Sequence, residues 1–137
     1  MNETLTQEEK KLLEIELTIR SQYGVICATK PVAPFHDLPF GGRQRINEIY
    51  FRENDSIFHF GPYQVHGVEN IRPYLRRMES MTEEEEIYYN TVYTTLTFYE
   101  KEDWLNGHHF DYRGLIEKGL ALEAPEWMYN KEEGSLE

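Results

Sequence analysis

Apolar and polar residues alternate with several different periods along this chain, and each change of period predicts an element. Leu12, Leu13, Ile15, Leu17 and Ile19 supply a broad apolar face, and Thr6 with Glu9 has capping-box spacing, so residues 7–21 are predicted to form an amphipathic helix stopped by Gly24. The short β-branched run "VICATK" reads as a strand carrying Cys27. From Pro31 to Arg45, three prolines and the Gly41–Gly42 pair break any period and predict a long connection, with "FGGRQR" as its loop tip. Ile46–Arg52 and Ile57–Phe60 flank the polar "ENDS" and predict a hairpin, which "YQVHGV" extends. Pro73 lacks an amide hydrogen, so "IRPYLRRM" is expected at a sheet edge or in an extended exit rather than in a central strand.

Farther on the period returns to that of a helix. Ser80 with Glu83 and Thr82 with Glu85 both have capping-box spacing, and Tyr88, Val92, Leu96 and Tyr99 then recur as a face expected to meet the core. Thr91, Thr94 and Thr95 weaken that helix beyond its first turns. "KEDWLNG" predicts a short helix ending near Gly107. Asp111 is placed to cap another over residues 112–118, with Gly119 at its left-handed C′ position and Leu120 making the apolar contact after it. "LALEAPEWMYN" closes the fold with Pro125 ending regular structure, and Trp104 and Trp127 are expected as core anchors, with an exposed hot spot near the C-terminal joint as the alternative for either. Residues 131–137 read as a flexible acidic tail whose "GSLE" resembles a cloning scar. The order of helix, strands and helices predicts one α+β domain over residues 1–130, a small antiparallel sheet packed by an N-terminal helix and C-terminal helices.

Composition narrows the function classes. The net charge of −11 disfavours direct nucleic-acid binding over most of the surface. Acid is concentrated at Glu83–Glu86 and in the tail, because Arg43 to Arg77 holds six arginines against four acids, a local +2. One cysteine excludes an internal disulfide and any Cys-based zinc site, and Cys27 has no local base that would activate it as a nucleophile. No segment approaches a membrane span, and the opening "MNETLTQEEKK" has no leader character, so a soluble, cytoplasmic protein without a cofactor is expected. Serine-nucleophile, Walker and dinucleotide-binding motifs are absent.

The densest chemistry lies in "HHFDYRGLIEKG". His108 and Asp111 have i, i+3 spacing suited to metal ligation, with His66, His59 or Glu100 as a distant third donor, whereas adjacent His109 diverges by about 100° on a helix. The competing reading is a helix junction with Asp111 as cap, Phe110 buried, one histidine bonded to a backbone carbonyl and the other solvated. A third reading is a recognition patch of His108, His109, Asp111, Tyr112 and Arg113 for a partner or small ligand, with Arg43 and Arg45 of "FGGRQR" as further anion-binding groups.

The strings "IRPYLRRMESMTEEE" and "DWLNGHHFDYRGLIEKGLALEAPEWMYN" cover roughly the last half of the chain and carry a resemblance. They are similar to blocks of the type "KPYLRPMSSMTEEE" and "DWxNAHHFDYRGLIEKGLALEAP" in short hypothetical proteins of Bacteroides-type gut bacteria and of their phages and mobile elements. This chain departs from them at Arg76–Arg77, where Arg-Pro is usual, and at Glu79, where Ser is usual. The resemblance implies an origin and supplies no catalytic residues. The expected function is therefore a non-enzymatic accessory or regulatory protein of such an element, acting through an unidentified protein partner. One variant is an acidic decoy for a nucleic-acid-binding surface. The alternative class is a metal-assisted hydrolase using His108 and Asp111.

Overall fold

A computed structural model describes residues 5–30, 41–52, 55–61 and 63–129. Helix α1 spans Gln7–Ser21 and opens on the complete Thr6–Glu9 capping box. Strands β1 (Ile26–Thr29), β2 (Gly41–Arg45), β3 (Glu48–Arg52), β4 (Asp55–Phe60), β5 (Tyr63–His66) and β6 (Ile71–Leu75) follow. Helices α2 (Glu83–Asn90) and α3 (Phe98–Gly107) and the two-residue β7 (Leu122–Glu123) complete the order. The class is α+β, with two small sheets where one was expected: β2-β1-β6-β7, and the meander β3-β4-β5.

Both sheets and α1 share one core. Along β4, Ser56, Phe58 and Phe60 are buried while Ile57 and His59 are half-buried, the period-2 alternation of a strand with one face inward. Phe58 pairs with Ile49 and Val65, forming a cross-strand row that packs beneath Leu13 and Leu17 of α1 and beside Cys27, Ile71 and Leu75 of the first sheet. Each fully buried leucine contributes about 1.5–3 kcal/mol from removal of its apolar surface from water.

The buried stripe of α1 differs from the purely apolar one expected. It reads Leu13, Glu16, Leu17, Arg20, with i, i+3, i+4, i+7 spacing, while Ile15 is 50% exposed. "FGGRQR" is also not a loop tip over its described part, because residues 41–45 form β2, paired antiparallel with β1. The preceding part of that connection, the "EN" of the hairpin turn and the acidic tail lie outside the described residues. Pro73 sits in β6, an interior strand, contrary to expectation. It is tolerated because β7 pairs only with Tyr74 and Leu75, so Pro73 has a strand neighbour, at Cys27, on one side alone.

The long helix expected after Thr82 is broken. α2 keeps the Thr82–Glu85 capping box but ends at Asn90, where Thr91 leaves helical geometry at φ −124° and ψ −80°. Thr91, Thr94 and Thr95 return their hydroxyls to the carbonyls of Ile87, Thr91 and Val92, and residues Val92–Thr95 tighten into a 3₁₀ turn. Thr97 and Glu100 then form a new capping box that starts α3 at Phe98. Val92 and Tyr99 are consequently 44% and 82% exposed and face no core. Trp104 is half-buried and Trp127 half-exposed, so neither is a core anchor.

Residues 112–118 form turns rather than a helix, yet their end is the one expected. Leu120 N–H donates to Leu115 O and Gly119 N–H to Ile116 O, the paired bonds of a Schellman motif, with Gly119 at φ +78° and Leu120 buried. A Cβ on Gly119 would meet nothing within 4 Å, so Gly119→Ala carries only the left-handed backbone penalty. Chemical denaturation is expected to show a loss of about 1–2 kcal/mol for that variant, with the slope of the unfolding transition unchanged.

Candidate functional site

The "HHFDYR" stretch is where α1, β6 and α3 meet. α3 ends in a second Schellman arrangement: His109 N–H donates to Asn106 O and Phe110 N–H to Leu105 O, both at 3.0 Å. The left-handed C′ position, ordinarily glycine, is His109, at φ 63°, and no other non-glycine among the described residues has positive φ. Beyond it the chain runs parallel to the end of β6, with Arg76 N–H bonded to His109 O at 2.8 Å and Asp111 N–H to Arg76 O at 2.7 Å.

This geometry sends the expected site residues in different directions. His108 hydrogen-bonds Trp104 O through Nδ1 at 2.9 Å, and its ring lies against Trp104 and Phe110. That bond to a carbonyl makes Nδ1 the protonated nitrogen. His109 turns the other way and stacks on Tyr129 at 3.7 Å between centroids. Asp111 accepts from Leu115 N–H and Ile116 N–H, at 2.8 and 2.9 Å, so both carboxylate oxygens are engaged in capping the following turn. Tyr112 donates to Asn106 Oδ1 at 3.1 Å. Arg113 Nε reaches Glu16 Oε2 at 2.6 Å. Arg43 and Arg45 lie on β2: the first sits 5.0 Å over the Trp127 ring, and the second donates from Nε to Gly24 O at 2.8 Å.

What the fold does bring together is an ion network under Phe110. Arg20, fully buried, donates from Nε to Glu16 Oε1 at 2.9 Å and from Nη2 to Phe110 O at 3.0 Å. Glu16 thereby bridges Arg20 and Arg113, and both guanidinium groups lie over the Tyr112 ring at 5.2 and 5.3 Å. The anticipated patch omitted Glu16 and Arg20, whose signal was charge at i, i+4 inside the stripe otherwise made by Leu13 and Leu17. It also omitted Arg76, which forks onto Glu85 at 2.7 and 2.9 Å and lies 4.3 Å over the Phe110 ring. Arg77 reaches Glu117 and Glu123 at the surface.

Electrostatics follow from this packing. Burial first, then the positive field of Arg20, Arg45, His108 and Arg76, pushes His109 down to about 3, so its ring is neutral at physiological pH. Burial opposes ionisation of Glu85, but the Arg76 fork and the Thr82 amide outweigh it and hold the carboxyl below its usual range. Burial alone pushes the Cys27 thiol far up, which removes its nucleophilic form. Tyr129, also raised by burial, accepts from Ile26 N–H at 2.6 Å and donates to Tyr74 O at 3.0 Å, tying the C-terminal segment to β1 and β6. Among the described residues no three of His, Cys, Asp and Glu are grouped so as to hold a metal ion. A shallow apolar groove of about 240 Å³, lined by Glu14, Ile15, Thr18, Ile19 and Phe51, lies away from this network.

The segment between β6 and the junction has a different character. No residue from Arg76 to Trp104 is buried, although α2, the 3₁₀ turn and α3 are all regular. Trp104 holds this excursion together: Tyr88, Tyr89 and Tyr93 lie 5.2, 6.1 and 5.7 Å from it, ring to ring. Ile87, Val92, Phe98 and Tyr99 remain exposed, by 60, 44, 67 and 82%. Comparison of the chain with protein-family models, with curated proteins and with solved structures finds no match.

Two outcomes are expected. Arg20→Met leaves Glu16 in the interior with only its Arg113 contact and should cost about 3–5 kcal/mol in denaturant unfolding. The double variant Glu16→Leu/Arg20→Met should recover much of that loss, because Arg113 is 39% exposed and water takes over its charge. His109 protonates in the unfolded chain at its ordinary pKa and in the folded chain only near 3, so stability declines as pH falls through that window. The slope approaches about 1.4 kcal/mol per pH unit for one proton. His109→Asn, which tolerates the left-handed backbone, should flatten this part of the stability profile between pH 6.5 and 4.5; an unchanged slope would rule His109 out as its source.

Proposed function

We propose that this protein is a non-enzymatic accessory or regulatory protein that acts by binding another protein, and that α2, the 3₁₀ turn and α3 present the binding face. The observation that carries this reading is the excursion from Arg76 to Trp104, which is capped and regular yet buries no side chain. Local structure is maintained there by two capping boxes, the Arg76–Glu85 fork and the rings around Trp104. None of these needs Ile87, Val92, Phe98 or Tyr99 on the outside, where each exposes apolar surface to water. Several exposed apolar groups on successive ordered elements, as here on α2, the 3₁₀ turn and α3, favour an interaction surface.

The same reading accommodates the polar junction as a support. His108 and Phe110 back Trp104, and Arg76 joins α2 to the strand end, so the junction holds the face at a defined angle to the core. The resemblance to short proteins of gut Bacteroides and their mobile elements favours an accessory role in such an element and directs the choice of lysate. A hydrolase built on His108 and Asp111 has less support, because Asp111 is engaged by two amides and His108 Nδ1 by a carbonyl.

The immobilised chain is expected to retain a partner from a Bacteroides lysate, and the triple variant Ile87→Ser/Phe98→Ser/Tyr99→Ser to lose it. All three sites are exposed, so each change should alter stability by no more than about 0.5 kcal/mol. Retention of the same partner by a folded triple variant would remove this face from consideration.

A further inference from the structure

Resting on that reading of the α2–α3 face, we infer the chemistry of its partner: a cationic amphipathic helix, whose apolar stripe covers Ile87, Val92, Phe98 and Tyr99 and whose lysines or arginines meet Glu83, Glu84 and Glu86. Charge complementarity carries the argument. Residues 78–107 contain eight acidic side chains and a single base, Lys101. Four of the acids have partners within the fold: Glu85 is held by Arg76, Glu100 by the Thr97 amide, Asp103 by the Tyr23 hydroxyl, and Glu102 lies 3.5 Å from Arg113. Glu83, Glu84 and Glu86 are exposed and have no basic partner among the described residues. Ile87 follows Glu83 by four positions and Glu84 by three, so acid and apolar surface share one side of α2.

The aromatic groups add a second preference of the same sign. Lys101 places its ammonium 5.4 Å over the Tyr93 ring, a cation held by this face within the chain itself. Exposed Tyr99 and Phe98, 5.7 Å apart in an edge-on pair, offer further rings to an incoming ammonium or guanidinium group. An acidic partner would meet repulsion from the glutamates, and a purely polar basic one would leave the four apolar side chains in water. The face is built of helices and offers no open strand edge for main-chain pairing, so recognition runs through side chains, as in helix-on-groove complexes. A basic helix with an apolar stripe satisfies each of these conditions.

The test uses the full chain with Trp127→Phe, leaving Trp104 as the sole tryptophan and reporter of the face. Three synthetic 14-residue peptides are titrated: a Lys/Leu amphipathic helix, a Glu/Leu helix of the same pattern, and a Lys/Ser peptide of the same charge without the apolar stripe. The Lys/Leu helix is expected to shift Trp104 emission to the blue and to bind at least about tenfold more tightly than either of the others. Glu83→Gln/Glu84→Gln/Glu86→Gln, and separately Phe98→Ser/Tyr99→Ser, should each weaken it by about tenfold, whereas Glu8→Gln/Glu126→Gln, remote and equally exposed, should change it less than about twofold. Equal binding of the Glu/Leu or Lys/Ser peptide, or equal loss from the remote variant, overturns the inferred chemistry. If the Lys/Leu helix fails while the serine triple variant still loses its lysate partner, the binding face stands and only the cationic helix is rejected; if that partner is also retained, both fall.

Discussion

Arg20 is the point through which the halves of this protein are joined. Its guanidinium is fully buried, its Nε is held by Glu16 one helical turn earlier, and its Nη2 grips the carbonyl of Phe110, ninety residues away in sequence. A charge taken so completely out of water is tolerated only with directed acceptors, and the Phe110 carbonyl is one of them. That bond fixes where the chain must pass after α3. From this follow the parallel run beside Arg76, the placement of Asp111 over its turn and the approach of Arg113 to the second oxygen of Glu16.

The junction combines two helix-stop devices with different residues. At Gly119 the left-handed position is taken by the residue that enters it without steric cost. At His109 the same backbone geometry is imposed on a side chain that resists it, and the imidazole is then buried, neutral and stacked against Tyr129. The two ends differ because the first faces open space while the second must fill the gap between the sheet and the C-terminal segment. Tyr129 completes this arrangement by lodging its hydroxyl between β1 and β6, where it bonds to both strands.

Against this rigid joint, the α2–α3 excursion is held mainly by local interactions, with the Tyr23 hydroxyl on Asp103 as a long-range tie. Capping boxes, threonine back-bonds, one arginine fork and a cluster of rings define its shape, and the hydrophobic core does not extend into it. Such a segment is ordered at its base and open at its surface. The separation explains why a chain with one core also displays large apolar side chains on well-formed helices, and why Glu83, Glu84 and Glu86 of α2 remain exposed.

Much of the local structure was legible in the residues themselves, because it depends on near neighbours. The first helix from Gln7 to Ser21, the strand around Cys27, the hairpin and its third strand, the Thr82 cap and the Gly119 stop all rest on interactions within a few positions. Tertiary structure alone decided which charges went inside. Glu16 and Arg20 look like solvent-facing residues until the Phe110 carbonyl and Arg113 arrive from the other end of the chain, the first as an acceptor for Arg20 and the second as an ion-pair partner for Glu16. The same holds for Pro73, admitted to an interior strand by the shortness of β7, and for the helix expected across Thr91, whose apolar repeat found no core to face. Pattern and capping depend on spacing along the chain; burial of charge depends on partners that spacing cannot place.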